Sequence, residues 1–148
     1  MTEVCIKILP HGQELELPQY ATEGSAAMDL RAAVDEDVVI APGKRFLVPS
    51  GVAIALPKGS FADIRPRSGL ALKHGITVLN TPGTIDSDYR GELKVLLINF
   101  GEDDFVVTRG MRIAQLLVQR YERVEWQISQ DLEETSRSGN GYGSTGTK

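Results

Sequence analysis

Glycine and proline recur at short intervals and cut the chain into brief apolar runs. The 148 residues include 15 Gly and 7 Pro, and turn-forming pairs such as Pro42-Gly43 and Pro82-Gly83 stand between the runs. The runs are short and rich in β-branched or large apolar residues, which favour strands. They span residues 38–40, 46–48, 52–56, 61–64, 76–79, 93–100, 105–107 and 113–121. This pattern predicts an all-β sandwich, jelly roll or barrel.

Helical signals are few. Residues 68–73 are compatible with one short helix and residues 131–135 with another, but no longer amphipathic pattern is present. The run 52–56 is apolar throughout, and so is nearly all of 93–98. Continuous apolar runs of this length indicate strands that are buried on both faces.

The last twelve residues differ from the rest of the chain. Residues 137–148 hold four Gly, a single aromatic residue (Tyr142) and no aliphatic side chain. Such a segment buries too little apolar surface to order itself. We therefore predict a β domain over 1–136 and a flexible arm over 137–148. The arm is either a plain terminus or a segment that orders over a ligand.

The charge balance limits the classes of partner. The net charge of −4 argues against sequence-independent binding of nucleic acid, which depends on many Lys and Arg contacts. Arg65, Arg67, Lys73 and His74 nevertheless form a local basic cluster. The cluster fits a small polyanion, and it fits a solvated basic face equally well.

Cysteine content and the apolar runs bear on location. Cys5 is the single cysteine and lies in an apolar run, so we expect a small buried side chain and no intrachain disulfide. No apolar run approaches the roughly 20 residues that span a bilayer. The beginning of the chain carries Glu3 and lacks the basic segment of a signal peptide. We expect a cytoplasmic protein with no membrane partner.

Two segments carry candidate chemistry. In 65–70 (RPRSGL) a strand meets a guanidinium, a hydroxyl and a glycine before a short helix, which suits a phosphate cradle. The alternative there is an ordinary helix N-cap by Ser68. In 80–91 (NTPGTIDSDYRG) Asp86 and Asp88 flank a serine, and a carboxylate held on a rigid hairpin can deprotonate water. The alternative is an acidic turn.

The chain resembles the homotrimeric dUTPases at all five motifs of that family, in order. The motifs are 24–30 (GSAAMDL), 65–71 (RPRSGLA), 83–92 (GTIDSDYRGE), 109–116 (RGMRIAQL) and 137–146 (RSGNGYGSTG). The resemblance implies a jelly-roll-like homotrimer whose active sites are shared between chains. It implies hydrolysis of dUTP to dUMP and pyrophosphate, which limits uracil incorporation into DNA and supplies dUMP for thymidylate synthesis.

The resemblance also implies roles for the catalytic residues. Asp86 would deprotonate the water that attacks the α-phosphorus, and Gln115 would help to hold that water. Arg67, Ser68 and Gly69 would grip the phosphates from a neighbouring chain, with Ser68 near the α–β bridging oxygen. Mg²⁺ would be chelated by the triphosphate, and Asp29 would act on it through water or would fix nearby charged side chains.

Substrate selection would come from the segment around 80–89. Its backbone and the Asn80 amide would pair with the uracil edge, and the site would be lined by Thr84, Ile85 and Lys94. The ring of Tyr89, packed on the deoxyribose, would leave no space for a ribose 2′-hydroxyl.

In the arm, Tyr142 would stack on uracil and Arg137 would contact the outer phosphates, closing a lid that excludes water. The arm departs from the family pattern at Ser138 and Asn140, where members often have glycine, and at Tyr142, which replaces the commoner phenylalanine.

Two alternatives remain open. One is the dCTP deaminase branch, which shares the fold but uses a glutamate on the base. The other is a catalytically inactive β-sandwich that binds nucleotides or a protein as a regulator. The intact Asp86, Arg67, Tyr89 and arm favour a dUTPase.

Overall fold

A computed structural model describes residues 2–141 and 144–145. In chain order its strands are β1 (Cys5–Ile8), β2 (Met28–Arg31), β3 (Val38–Ile40), β4 (Arg45–Ala55), β5 (Ser60–Arg65), β6 (Ile76–Val78), β7 (Gly83–Ile85), β8 (Glu92–Asn99), β9 (Phe105–Val107) and β10 (Arg112–Arg120). One α-helix, α1 (Ser68–His74), follows β5, and a single 3-10 turn (Pro10–Gly12) follows β1. No helix of the described residues is long and apolar enough to cross a membrane.

The strands form antiparallel sheets. Sheet 1 has the order β1-β4-β8-β6 and sheet 2 the order β2-β10-β5-β7, while β3 and β9 pair as a separate ribbon. Neighbours in both sheets are distant in sequence, as in jelly rolls. The predicted all-β, jelly-roll-like architecture with one short α-helix is confirmed.

The core lies between the two sheets and is built by alternation along their strands. In β8, Leu93, Val95 and Leu97 are fully buried, and in β5 Ala62 and Ile64 point inward. Burying an aliphatic side chain of this size typically stabilises a fold by about 1.5–3 kcal/mol. The inward faces fix the register of both strands, because a slip by one residue would turn every one of these side chains outward.

Four local expectations were wrong. The runs 46–48 and 52–56 are not two strands but one, β4, and no helix forms at 131–135. Cys5 is exposed because β1 is an edge strand. The segment 80–91 is not a hairpin: β6 belongs to sheet 1 and β7 to sheet 2, so the chain crosses between the sheets and returns through β8.

A bulge lets β4 continue as one strand. Pro49 lies opposite Lys94 and Ala53 opposite Glu92, so the residues between them face Leu93 alone. Gly51 adopts φ +72 at the bulge, a conformation that glycine reaches without strain. A Cβ at Gly51 would meet the backbone of Gly12 in the 3-10 turn.

This contact predicts unequal effects of two glycine substitutions. Gly51→Ala and Gly43→Ala both place alanine at nearly the same positive φ, +72 and +75, which costs about 1–2 kcal/mol. Only Gly51→Ala also pushes on Gly12, since nothing surrounds a Cβ at Gly43. Gly51→Ala should therefore lower the free energy of unfolding more, by roughly a further 1–3 kcal/mol, and should have the lower denaturation midpoint. Equal midpoints for the two variants would contradict this packing.

Candidate active site

A cluster of two arginines on one carboxylate lies at the end of sheet 2. Asp29 in β2 accepts a hydrogen bond from Arg67 Nε at 3.0 Å through Oδ1 and from Arg112 Nη1 at 3.2 Å through Oδ2. Arg67 Nη1 also donates to the carbonyl of Arg112 at 3.3 Å. One carboxylate thus holds two guanidinium groups in place and leaves the cluster with a net positive charge.

The start of α1 lies directly beside this cluster. Arg67 is the N-cap residue, and no side chain caps the helix, so the alternative of an N-cap by Ser68 is wrong. Ser68 and Gly69 are exposed, and the first amides of a helix have no partner within it. Amides, a hydroxyl and guanidinium groups therefore converge on one exposed surface, which suits an oxyanion.

Gln115 lies on the same face as the cluster. In β10 it is opposite Asp29 of β2 on one side and Arg65 of β5 on the other. Directly opposed residues of antiparallel strands project to the same face, so these three side chains form one row. The next residue of β5 on this face, Asp63, is buried and accepts hydrogen bonds from Arg65 and Gln119 at 2.8 Å each.

Asp86 follows β7 and begins a tight turn. The Tyr89 amide donates to the Asp86 carbonyl at 3.2 Å, and Arg90 Nη1 donates to the Ser87 carbonyl at 2.7 Å. Asp86 itself is exposed and lines an open cleft together with Lys58, Gly59, Phe61, Thr84, Ser87, Asp88, Tyr121 and Arg123. The carboxylate is therefore accessible to solvent on a backbone that the turn holds in place.

Within one chain, Asp86 and the arginine cluster lie at opposite ends of β5. Ala62 pairs with Ile85, which puts Asp86 level with Phe61 near the beginning of β5. Arg67 comes after its other end. The four steps between the five residues from Phe61 to Arg65 alone span about 13 Å at the usual rise of a strand. A single chain does not bring these two groups together.

The residues predicted to select the base occupy the crossing segment and β8. Asn80 is exposed in the turn between β6 and β7, and its side-chain nitrogen lies over Gly83. Thr84 is exposed in β7, and Ile85 packs partly against the core. Lys94 is half-exposed, with Nζ 3.9 Å from Glu92 Oε2.

The chain beyond β10 leads into the predicted arm, 137–148. Strand β10 ends at Arg120, and residues 122–140 are exposed and contain neither helix nor strand. Arg137 Nε donates to the Asn140 carbonyl at 3.0 Å, and Ser138 has a positive φ of 46. Tyr142, the predicted stacking residue, lies outside the described residues.

Two contacts were not predicted from the sequence. Arg112 stands inside the fourth motif, yet its pairing with Asp29 became visible only in the register of β2 and β10. His11 contacts Glu92 across 81 positions of sequence, which no local pattern signals. The described residues hold no group of three or more His, Cys, Asp or Glu side chains that could bind a metal.

Comparison with known proteins places these features in a family. The dUTPase family model matches residues 13–146. A deoxyuridine 5′-triphosphate nucleotidohydrolase of Rickettsia bellii is 60% identical over 131 residues, covering 88% of this chain and 87% of the relative. The protein of the same name from Rhizobium meliloti is 57% identical over 142 residues, covering 95% of this chain and 89% of its own length.

Solved structures show the same fold at lower identity. The dUTPase of Staphylococcus bacteriophage 80alpha, solved with dUPNHPP, has a TM-score of 0.89 at 22% identity and covers 99% of this chain and 100% of its own. A dUTPase from phage phi11 of S. aureus has a TM-score of 0.79 at 19% identity, covering 89% and 99%. With a family model spanning nearly the whole chain and relatives at 57–60% identity, this chain belongs to the dUTPase family.

Proposed function

We propose that the protein hydrolyses dUTP to dUMP and pyrophosphate. The observation that carries this proposal is the Asp29 cluster, in which Arg67 and Arg112 are held beside the exposed beginning of α1. An anion of high charge is the ligand that such a surface recognises best. The deoxyuridine triphosphate chemistry comes from the family and from the names of the close relatives.

The active site is built from more than one chain. Asp86 lies at the far end of β5 from the arginine cluster, so the carboxylate that meets the bound phosphates comes from a neighbour. The segment that follows β10 supports this assembly. Val124, Trp126 and Ile128 occupy alternate positions in it and are 71%, 88% and 98% exposed. Apolar alternation left in solvent is typical of a segment buried on another subunit. The number of three chains rests on the resemblance to homotrimeric dUTPases.

In the reaction, Asp86 accepts the proton of the water that attacks the α-phosphorus, and Gln115 of the neighbouring chain, which lies beside Asp29, holds that water in line. Arg67, Ser68 and Gly69 of the neighbouring chain bind the phosphates. The Ser68 hydroxyl donates towards the α–β bridging oxygen as negative charge grows there. Donors aimed at developing charge typically contribute about 3–4 kcal/mol each to transition-state stabilisation.

The residues present suit a Mg²⁺ ion that is carried by the substrate. Both oxygens of Asp29 already bind guanidinium groups, and Asp29 is the one acidic residue that the described structure shows in this cluster. Asp29 would contact the metal only through water, and its direct contacts are the hydrogen bonds that fix Arg67 and Arg112. Mg²⁺, where bound, neutralises the triphosphate and orders it for in-line attack.

Selection of the substrate takes place on the crossing segment. Asn80 and nearby backbone groups pair with the uracil edge, and Thr84, Ile85 and Lys94 line the site. A cytosine would leave buried polar groups unpaired, at about 1–3 kcal/mol each. The arm closes this site, with Tyr142 stacked on the base and Arg137 on the outer phosphates, and excludes water.

Asp86→Asn should abolish turnover and keep nucleotide affinity, because the variant loses the base but not the phosphate contacts. We expect kcat to fall roughly 10²–10⁴-fold, measured as pyrophosphate release. Binding of a non-hydrolysable dUTP analogue, measured by calorimetry, should be retained. Asp88→Asn is the matched control and should keep its kcat. A normal kcat for Asp86→Asn would refute the assigned base.

Two inactive variants should complement each other if sites are shared. Asp86→Asn and Arg67→Ala, unfolded together and refolded as mixed oligomers, should regain roughly a quarter of the native sites, since each site draws the two residues from different chains. The unchanged chain mixed equally with Asp86→Asn is the control for refolding. Failure of the two variants to regain any activity, with that control active, would show that each site lies within one chain.

Tyr89→Ala should weaken discrimination between dUTP and UTP. Loss of the ring opens space for a 2′-hydroxyl, so the ratio of kcat/KM for dUTP to that for UTP should fall roughly tenfold. The ratio for dUTP to dCTP is the internal control and should hold, because the base contacts are untouched. An unaltered dUTP-to-UTP ratio would remove Tyr89 from sugar selection.

A further inference from the structure

A largely buried carboxylate lies outside the residues assigned to the reaction. The side chain of Glu92, the first residue of β8, is 13% exposed. Its Oε1 lies 2.6 Å from His11 Nε2 and accepts the Gly51 amide at 2.9 Å. Lys94 Nζ lies 3.9 Å from Oε2. A largely buried carboxylate with partners from two other segments and from its own strand is a structural anchor, since leaving these partners unpaired is costly.

The bulge of β4 explains why a carboxylate is needed there. Where the bulge interrupts the ladder between β4 and β8, Gly51 has no paired residue in β8, and its amide donates to the Glu92 carboxylate. The Ser50 hydroxyl donates to the Leu93 carbonyl at 2.5 Å beside it. The 3-10 turn covers the bulge, because the Leu9 amide donates to the Gly51 carbonyl at 2.8 Å and brings His11 onto Glu92.

The same residue also holds Tyr89. The Tyr89 hydroxyl donates to the Glu92 backbone carbonyl at 3.1 Å. The ring lies over Gly91, so close that a Cβ there would collide with the hydroxyl end of the tyrosine. The ring is 46% exposed and has little core packing to fix it. Its orientation therefore depends on where the backbone of Glu92 lies.

We propose that Glu92, locked by His11, is a positioning residue that sets the Tyr89 ring and thereby the selection of deoxyribose over ribose. This inference rests on the proposed function, in which Tyr89 packs against the sugar. The carboxylate ties the beginning of β8 to the bulge and to the 3-10 turn. The Glu92 carbonyl then presents a fixed acceptor to the Tyr89 hydroxyl.

Loss of the Glu92 carboxylate should lower the selectivity for dUTP over UTP more than it lowers the rate of hydrolysis. In Glu92→Ala the beginning of β8 loses its ties to His11 and Gly51, and the Tyr89 ring samples positions that admit a 2′-hydroxyl. Glu92→Gln keeps a carbonyl oxygen for both donors. We therefore expect the alanine variant to lose selectivity and the glutamine variant to retain it.

The experiment measures kcat and KM for dUTP and UTP in purified full-length variants. For Glu92→Ala, the dUTP-to-UTP ratio of kcat/KM should fall roughly three- to tenfold, because a hydrogen bond of ordinary net strength contributes about that factor. KM should change more than kcat. In His11→Ala the dUTP-to-UTP ratio of kcat/KM should fall less, because Gly51 and Lys94 still hold the Glu92 carboxylate. It also serves as the readout if Glu92→Ala does not fold.

A double-mutant cycle separates positioning from general weakening. Tyr89→Phe removes only the hydroxyl tie, so its loss of selectivity should not add to that of Glu92→Ala. Asn99→Ser is the structural control, since Asn99 is fully buried at the other end of β8 and donates to the Ile40 and Asp103 carbonyls at 2.8 Å. It should lower stability and leave the dUTP-to-UTP ratio unchanged.

The outcomes distinguish failure of the proposed function from failure of the role proposed for Glu92. A protein that does not hydrolyse dUTP would overturn the proposed function, and a Tyr89→Ala variant with unchanged selectivity would remove Tyr89 from sugar selection and this inference with it. Loss of selectivity in Tyr89→Ala but none in Glu92→Ala or His11→Ala would overturn this inference alone. Equal losses in Asn99→Ser and Glu92→Ala, or additive losses in the cycle, would also overturn it.

Discussion

The antiparallel pairing of β5 with β7 determines where chemistry can take place. It sets Asp86 level with Phe61, while the chain continues past the other end of β5 into Arg67 and α1. Buried inward side chains fix the register of this pairing, because Ala62 and Ile64 would face solvent after a slip of one residue. The separation between Asp86 and the arginine cluster is thus a property of the fold, and the proposed reaction requires a second chain to bring them together.

Asp29 fixes the geometry of the proposed anion site in the free protein. Two guanidinium groups that share one carboxylate are oriented in advance, so the proposed binding of phosphate would cost little side-chain entropy. The carboxylate also lowers the repulsion between Arg67 and Arg112 in the empty site. The arginines are 24% and 49% exposed, so water screens much of this attraction, and the benefit lies mainly in geometry.

The sequence predicted those parts of the molecule that local chemistry decides. Apolar runs between turn residues located β3, β8, β9 and β10, and the five motifs predicted the family. The sequence did not predict which strands share a sheet, because no local pattern shows that β6 and β7 belong to different sheets. Cys5 was misplaced because an apolar run does not reveal an edge strand. The contact of His11 with Glu92 is likewise created by the fold alone.

The bulge of β4 connects the anchoring of β8 with the proposed selection of the sugar. A regular ladder would satisfy the Gly51 amide by backbone alone and would leave no role for a carboxylate at Glu92. At the bulge the Gly51 amide donates to the Glu92 carboxylate, and the Glu92 carbonyl accepts the Tyr89 hydroxyl. An irregularity in one sheet is thereby linked, through two hydrogen bonds on one residue, to an aromatic ring on the crossing segment.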